Sequence, residues 1–334
     1  PSIYYSNEDR IYVGLGYKIK KNQWRKYPFA NEHDLSVHYS ITQNDYSVFY
    51  KGIVNQLFGK WNLALNAHYD NMRWTNFYGP GNESIKITEV ADFYRMRSRV
   101  WYGDLGMNRR NKHSLFGITG FYQKFSIIND PDRFVAKIYD QDKSDLEPHS
   151  FVGGRMDYDY QNFNNDVVPT KGFSLESALS YTKNLTQTDR SFWNLSGTAN
   201  TFLPLFGKLG LAIRTGAATL RGEPEFYQLN WIGGSNRLRG FRRERFYGKT
   251  AFFNNAELRL IGNVRSFFFN GKAGLIGFYD AGRVWLPDEI SDKWHTAYGG
   301  GILLAPFNKI AFSVTYGISD EGKTYHIRFN RSLF

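Results

Sequence analysis

The chain contains no cysteine, which excludes disulfide scaffolds, structural zinc sites and thiol catalysis. It contains no run of about 18 apolar residues, and this excludes a transmembrane helix. Serine-hydrolase elbows, HExxH motifs, P-loops and dinucleotide-binding fingerprints are missing as well. The seven histidines show no metal-ligand spacing. We therefore expect no enzyme activity, no cofactor and no metal site in this chain.

The residues that are abundant are typical of a membrane barrel. Phe, Tyr and Trp make up 18% of the 334 residues, which fits the aromatic girdles at both interfaces of such a barrel. The net charge of +11 is compatible with nucleic acid, an anionic membrane surface or an anionic substrate. Because this charge is spread along the chain, apart from Arg242, Arg243 and Arg245, we expect no nucleic acid partner.

The main pattern is a period-two alternation of apolar and polar residues. In 309–319, for example, Ile310, Phe312 and Val314 share one face, and small or polar residues share the other. Such segments are about ten residues long, as tilted membrane strands are, whereas globular strands are usually nearer 5–6 residues. The pattern predicts an all-β fold, with a single domain over 1–334 that forms one transmembrane antiparallel β-barrel.

The segmentation predicts about 16 strands, an even number as bacterial barrels require. They are expected near 2–6, 10–20, 32–42, 45–55, 60–70, 89–103, 113–127, 150–162, 172–184, 190–203, 207–220, 250–261, 272–285, 294–306, 309–319 and 325–334. Short connections alternate with long ones, and the long ones at 71–88, 128–149 and 221–249 are expected to be external loops.

The polar faces carry charges that a packed core would reject. Arg95, Arg97 and Arg99 lie on one face of a single predicted strand. We expect these three arginines to line a wet lumen. Equivalent positions in other strands carry further charged residues: Arg155, Arg214, Glu257, Arg259, His326 and Arg328.

The most specific motifs lie between 221 and 285. The segments read GGSNRLRGFRRERF, NNAELRL and GLIGFYDAGRVW, and their central residues are Arg239, Gly240, Phe241, Glu257, Phe278, Asp280 and Gly282. Here the chain resembles the BamA/TamA-type superfamily of outer-membrane barrels, the bacterial surface antigen domain, which also contains the two-partner secretion transporters. The resemblance implies that the long loop folds back into the barrel with Arg239, Gly240 and Phe241 at its tip.

The alternation supports this reading. It places Glu257 on the strand face opposite to the apolar Leu258, and Asp280 on the face opposite to Tyr279. Both carboxylates are therefore predicted to point into the lumen. A guanidinium from the loop can bind two carboxylates through charge-assisted hydrogen bonds. Glycine permits a sharp turn at the tip of the loop. We therefore expect Arg239 to lock the loop by pairing with both carboxylates. The alternative is that these are ordinary lumen charges that satisfy one another.

Three further segments carry weaker resemblances. The turn Pro169–Gly172 resembles a Pro-Thr-x-Gly turn of the same superfamily. Phe329 and the terminal Phe334 follow the pattern of the C-terminal signal that assembly machinery reads in barrels. The segment NFYGPGNES at 76–84 resembles a loop in relatives whose barrel follows a soluble enzyme domain, although its glycines, proline and asparagine equally indicate a plain turn.

The resemblance implies a function in the bacterial outer membrane as an insertase or translocase. A client or passenger polypeptide would be handled at a lateral seam between the strands near 2–6 and 325–334. Outer-membrane lipid and lipopolysaccharide would be the surrounding partners, and a periplasmic domain in cis is expected upstream of Pro1, outside this chain. Since the sequence starts without a signal peptide, inside a strand-like segment, we expect a mature protein or an excised domain.

Two other functions remain open. The barrel could anchor or export a soluble enzyme domain N-terminal to it, of the metallophosphatase or patatin-like lipase type. It could also be an anion-preferring porin, for which lumen arginines at 95, 97 and 99 would be suited. A loop folded into the lumen argues against an open pore.

Overall fold

The computed structural model describes residues 2–6, 10–26, 28–42, 44–140, 146–265 and 270–330. Sixteen strands form one antiparallel sheet, in which strands consecutive in the sheet are also consecutive along the chain, apart from one long loop. These strands are β1 (Ser2–Ser6), β2 (Arg10–Lys21), β3 (Asn31–Ser40), β4 (Asp45–Phe58), β5 (Trp61–Asn76), β6 (Arg95–Arg110), β7 (Ser114–Ile128), β8 (His149–Phe163), β9 (Gly172–Asn184), β10 (Ser191–Phe206), β11 (Leu209–Gly222), β14 (Thr250–Arg265), β15 (Asn270–Trp285), β16 (His295–Pro306), β17 (Ala311–Ser319) and β18 (Gly322–Asn330).

The loop between β11 and β14 contains a separate pair of short antiparallel strands, β12 (Asn230–Ile232) and β13 (Phe246–Gly248). Short helical turns occur at Ala91–Tyr94, Val135–Tyr139 and Phe226–Gln228. Within the described ranges, no helix is long and apolar enough to cross a membrane.

The prediction of a 16-stranded barrel is confirmed, and most strand limits differ from the predicted ones by only a few residues. The largest shift concerns β6, which was expected at 89–103 and runs from Arg95 to Arg110. The reason is that Ala91–Tyr94 forms a helical turn whose Tyr94 side chain is fully buried. The strands β12 and β13 were not predicted.

Each strand presents one face to the outside and one to the interior, as the alternation predicts. In β15, Leu275 and Tyr279 are 59% and 53% exposed, whereas Phe278 and Asp280 are buried. The outer face of the barrel is therefore largely apolar. Its exposed large side chains include Leu15, Leu65, Trp101, Leu105, Leu195, Leu258, Leu275, Tyr298, Ile302 and Ile327.

Aromatic rings lie on this outer face toward the end that carries the long loops. Tyr69 and Trp101 have ring centroids 4.2 Å apart, and Tyr181 and Trp193 are 4.8 Å apart, in both cases across neighbouring strands. Amphipathic rings at this position mark the interface between the apolar band and the headgroups. This end is therefore assigned as the extracellular end.

The prediction that Arg95, Arg97 and Arg99 line the lumen is wrong. They alternate with Met96, Ser98 and Val100, which are the buried residues of this part of β6. By parity the arginines share the face of Trp101, which is 53% exposed on the outside of the barrel. Above the membrane the outer face of β6 is polar, while its inner face packs apolar Met96 and Val100 against the loop side chains. The usual assignment of polar residues to the lumen is therefore inverted there.

The extracellular half of the interior is filled by side chains from the loops. Phe77, Tyr94, Phe226 and Tyr247 pack there together with inward residues of the strands, such as Val100. At the opposite end, the β8–β9 turn packs its buried Val168 against the inward residues Ile276, Leu303, Ala305 and Ala311 of β15, β16 and β17. These contacts join strands that are far apart in the sheet order, so the sheet curves around a packed interior.

The lipid-facing assignment gives a first prediction. Leu275→Arg places a charge in the central part of the outer face of β15, and we expect it to lower the free energy of unfolding by about 2–4 kcal/mol. Leu205→Arg is the matched control, because Leu205 is also exposed but lies one residue before the end of β10, where the cost falls to about 0–1 kcal/mol. Urea titration of both variants in phospholipid vesicles measures the difference, and equal losses would contradict the assignment.

Candidate functional site: the lumen loop and its anchor

The loop between β11 and β14 enters the barrel and buries an apolar side of its own. Ile232, Leu238, Phe241 and Phe246 are at most 2% exposed and pack against Ala251, Phe253, Val284 and Ala297 of the wall. Removal of this apolar surface from water stabilises the inserted loop. The predicted insertion of the loop into the lumen is observed.

Arg239 is the charged residue at the tip, and it is 1% exposed. Its guanidinium donates to both carboxylate oxygens of Asp280, from Nε at 2.7 Å and from Nη2 at 2.6 Å. Its Nη1 donates to Glu257, and its backbone N–H donates to Asp280 at 3.0 Å. Bidentate, charge-assisted bonds of this kind are the strongest that a guanidinium makes. The structure thus brings together Arg239, Glu257 and Asp280, while their role in function stays a prediction.

Two further arginines complete the cluster around Glu257. Arg259 donates to Oε2 of Glu257 at 2.8 Å and 2.5 Å, and Arg328 of β18 lies 3.4 Å from Oε1. Burial by itself lowers the pKa of Arg239, but the hydrogen bonds and charges of Asp280 and Glu257 more than offset this and hold that pKa above its ordinary value. The loop guanidinium therefore remains charged in the lumen.

Phe278 and Gly282 shape the wall beneath the tip. The Phe278 ring lies under the guanidinium, with Arg239 Cζ 3.6 Å from the ring centroid, and so adds a cation–π contact. At Gly282, a Cβ would lie 2.9 Å from the Phe252 carbonyl oxygen and 3.2 Å from Cδ1 of Ile232. A side chain at Gly282 would therefore push the loop away from β15.

Gly240 lets the tip turn directly against β16, β17 and β18. Its φ of +87° favours glycine, and a Cβ there would lie 2.9 Å from Cβ of Ala297. The Gly240 carbonyl accepts hydrogen bonds from Ser319 Oγ at 2.9 Å and Thr324 Oγ1 at 3.2 Å. Its N–H donates to Nε2 of His326 at 3.3 Å. Through this residue the loop holds the inner side of the β17–β18 hairpin.

Arg245 is a second anchor, although in the sequence it stands out only as part of a basic run. It is 2% exposed, and its Nε lies 2.7 Å and 2.9 Å from the two carboxylate oxygens of Glu321 in the β17–β18 turn. It also donates to Oγ and the carbonyl oxygen of Ser84, at 2.9 Å and 2.7 Å. One guanidinium thus joins the lumen loop, the 77–94 loop and the last hairpin. Only the long-range fold brings these groups together, so no local signal could reveal it.

The segment 76–84 is more than a plain turn. Asn82 is fully buried, donates to Ser291 Oγ at 2.8 Å and accepts from the Val284 N–H at 3.1 Å. The Glu289 carboxylate accepts the N–H groups of Asn82 at 2.7 Å and Glu83 at 2.8 Å. The glycines at 79 and 81 do have the positive φ of turn residues, +91° and +111°. The segment therefore binds the external loop between β15 and β16 through these hydrogen bonds.

The remaining predicted positions lie at the periplasmic end. In the turn that includes Pro169 and Gly172, the side chain of Asn164 accepts from the N–H groups of Thr170 at 3.0 Å and Lys171 at 3.1 Å. Phe329 pairs with Phe312 in the β17–β18 ladder, and Phe334 lies outside the described residues. Over the described ranges, no group of three or more potential ligands could hold a metal ion.

Comparison with protein families identifies the lineage. A model of the Omp85 superfamily domain matches residues 4–333. The chain belongs to the Omp85 superfamily. The resemblance to BamA/TamA-type barrels that the motifs at 221–285 suggested is thereby confirmed. No match was found among curated proteins.

Solved structures place this Omp85 chain among known barrels. BamA from Haemophilus ducreyi lacking POTRA domains 1–3 is similar with a TM-score of 0.72 and 14% identity, over 98% of this chain and 68% of that one. CdiB from Acinetobacter baumannii has a TM-score of 0.58 and 12% identity, over 96% and 56%. CdiB from Escherichia coli has a TM-score of 0.50 and 14% identity, over 98% and 66%. The chain thus spans less than two thirds of each CdiB structure, and identities this low show a shared fold alone.

The charge cluster of this Omp85 barrel gives a second prediction. Arg239→Ala leaves Asp280 without its bidentate partner in a buried site, and we expect a loss of about 3–5 kcal/mol in the free energy of unfolding. The loop should also become accessible to trypsin at Arg237, which is partly buried, and at Arg245, which is buried. Arg242→Ala is the control, because that side chain is exposed in the same loop. Unchanged stability and protease resistance in Arg239→Ala would refute the lock.

The second anchor gives a third prediction. Arg245→Met keeps an apolar stem but removes the charge that Glu321 and Ser84 contact, and we expect a loss of about 2 kcal/mol in the free energy of unfolding. Amide hydrogen exchange should accelerate in 77–90 and leave β15 unchanged. Arg243→Met serves as the control, since the Arg243 side chain is 46% exposed. An exchange pattern identical to that of the native chain would rule out the anchoring role.

Proposed function

We propose that this Omp85 barrel handles other polypeptides in the bacterial outer membrane, as an insertase or translocase that works at the seam between β1 and β18. The observation that carries the proposal is that β1 and β18 are the two terminal strands of the sheet, while loop side chains fill the extracellular half of the lumen. β18 has nine residues. A strand at the end of the sheet order has backbone N–H and C=O groups along its outer edge that can pair with an incoming strand.

The lumen loop supports this proposal because it holds β18 from the inside. Gly240 is bonded to Thr324 and His326, and Arg328 reaches Glu257 of β14. These contacts do not involve β1. The inner face of β18 would therefore keep its position when the outer edge of the strand exchanges β1 for a client.

A cavity beside β18 offers room for a client. Its volume is about 790 Å³, and it lies between the loop tip and the last strand. Its lining includes Gly240, Arg243, Lys323, His326 and Ile327. The cavity reaches Ile327, which is 69% exposed on the outer face of β18, so it adjoins the edge where an incoming strand would pair.

The porin alternative loses its basis. The arginines at 95, 97 and 99 that suggested an anion preference lie on the outer face of the barrel, and loop side chains fill the extracellular half of the lumen. The anchor alternative stays a prediction. Its basis was the segment 76–84, and the contacts of this segment with the β15–β16 loop account for its residues. We also propose that the chain performs no catalysis of its own.

A disulfide lock tests the seam. Cysteine pairs are scanned along 2–6 of β1 and 322–330 of β18, and oxidation should stop activity in vesicles while leaving the barrel folded. Activity is measured in two assays, the folding of an added denatured barrel protein and the export of a polypeptide across the vesicle membrane. The assay that the native chain supports tells insertion from export.

The control is a cysteine pair at Ile302 and Val314, which lie directly opposite in β16 and β17. These two strands stay paired in the proposed cycle, so this lock should leave activity intact. Full activity of every oxidised β1–β18 pair would refute lateral handling. Activity in neither assay from the native chain would overturn the proposed function itself.

A further inference from the structure

A group of cations lies on the outside of the barrel at the extracellular end of β6 and β7. We call it the outer basic patch and define it by Arg95, Arg97, Arg99, Lys124 and Arg133. The side chains of Arg99 and Lys124 are exposed. The first three were expected in the lumen, and no step of the proposed function uses any of the five.

The patch starts at the level of the aromatic girdle and extends toward the extracellular end. Trp101 of β6 is paired with Lys124 of β7, and Arg99 is two residues further toward the extracellular end on the same face, a distance of about 7 Å. Tyr122 lies two residues below Lys124 on its strand and is 45% exposed. Rings at this level mark the headgroup boundary, so the exposed cations lie among the headgroups of the outer leaflet.

The inner part of the patch is built rigidly. The guanidinium carbons of Arg97 and Arg133 each lie 5.4 Å from the Trp74 ring centroid, and that of Arg95 lies 5.9 Å from it. Asp130 accepts from both Arg97 and Arg133, the latter at 3.1 Å. Trp74 is 8% exposed although its face of the strand points outward. Stacking and ion pairing hold these side chains in one arrangement.

Within the described residues, the patch carries more positive than negative charge. Asp130 pairs with Arg97 and Arg133, and Asp92 lies 2.8 Å from Arg95. Burial raises the pKa of Asp130, but hydrogen bonds from Arg133 and Arg97 outweigh this effect and keep that pKa below its usual value. This carboxylate is therefore already paired with these two arginines. Arg99 and Lys124 lie outside these ion pairs, and Arg99 donates a hydrogen bond of 3.1 Å to the neutral side chain of Asn71.

We propose that the outer basic patch binds the phosphate groups of glycolipid headgroups in the outer leaflet, the chemistry that lipopolysaccharide presents. Guanidinium groups hold phosphate in bidentate fashion, and ammonium groups hold it as point charges. Trp101 and Tyr69 at the lower edge of the patch lie at the depth where the sugar and acyl parts of such a lipid meet. This binding is independent of the insertase proposal and requires only the outer-membrane location.

The test uses the full chain in detergent, titrated with lipopolysaccharide, with chemically dephosphorylated lipopolysaccharide and with phosphatidylglycerol. We expect Arg99→Gln/Lys124→Gln to weaken the binding of phosphorylated lipopolysaccharide about tenfold or more. Both side chains are exposed, so folding should be unaffected, which gel mobility before and after heating checks. Lys124→Gln alone should give an intermediate loss.

Arg109→Gln is the matched control. Arg109 is exposed on the same strand and by parity on the same face, but it lies at the periplasmic end, opposite Phe116. Its replacement should leave binding unchanged. Native affinity in the double variant, equal affinity for dephosphorylated lipopolysaccharide, or an equal loss in Arg109→Gln would each overturn the proposal. Equal, patch-dependent affinity for phosphatidylglycerol would also overturn it, since the patch would then be a general anion site.

Discussion

A carboxylate buried inside a barrel costs several kcal/mol unless a cation is brought to it, and for Asp280 the lumen loop of this protein supplies that cation. Asp280 is fully buried and accepts three hydrogen bonds from Arg239, two from its guanidinium and one from its backbone N–H, and the burial of Arg239 is itself nearly complete. The wall without the loop would hold an unpaired charge, and the loop without the wall would expose its apolar side. Each is therefore stable only with the other, and the remaining loop contacts follow from this pairing.

The consequences reach the last hairpin and the external loops. With Arg239 fixed, Gly240 meets the β17–β18 hairpin, and Arg245 meets Glu321 and Ser84. The loop thus links the strands that carry the carboxylates to the end of the sheet. In the proposed function, a barrel filled in this way keeps its last strand in place while that strand changes partners. This is the physical basis on which a lateral seam is favoured over an axial channel.

Much of this architecture could be predicted from the sequence. Alternation in β14 and β15 is regular, so it placed Glu257 and Asp280 on the inward face, and the motif around Arg239 indicated the loop. The same reasoning failed at Arg95, Arg97 and Arg99, because above the membrane the inner face of β6 packs apolar residues such as Met96 and Val100 and the polar face turns outward. Arg245, Asn82 and Val168 escaped prediction for another reason. Their partners are distant in sequence, and only the closed fold shows that each fills a buried position.

The most direct measurement of the central claim is amide hydrogen exchange over 230–248 in the native barrel, read by mass spectrometry. A loop held by buried ion pairs and apolar packing opens only together with the wall, so its amides should exchange as slowly as those of β14 and β15. Exchange at the rate of the external 286–294 loop would show that the loop leaves the lumen freely. The charge cluster would then not be what fixes it.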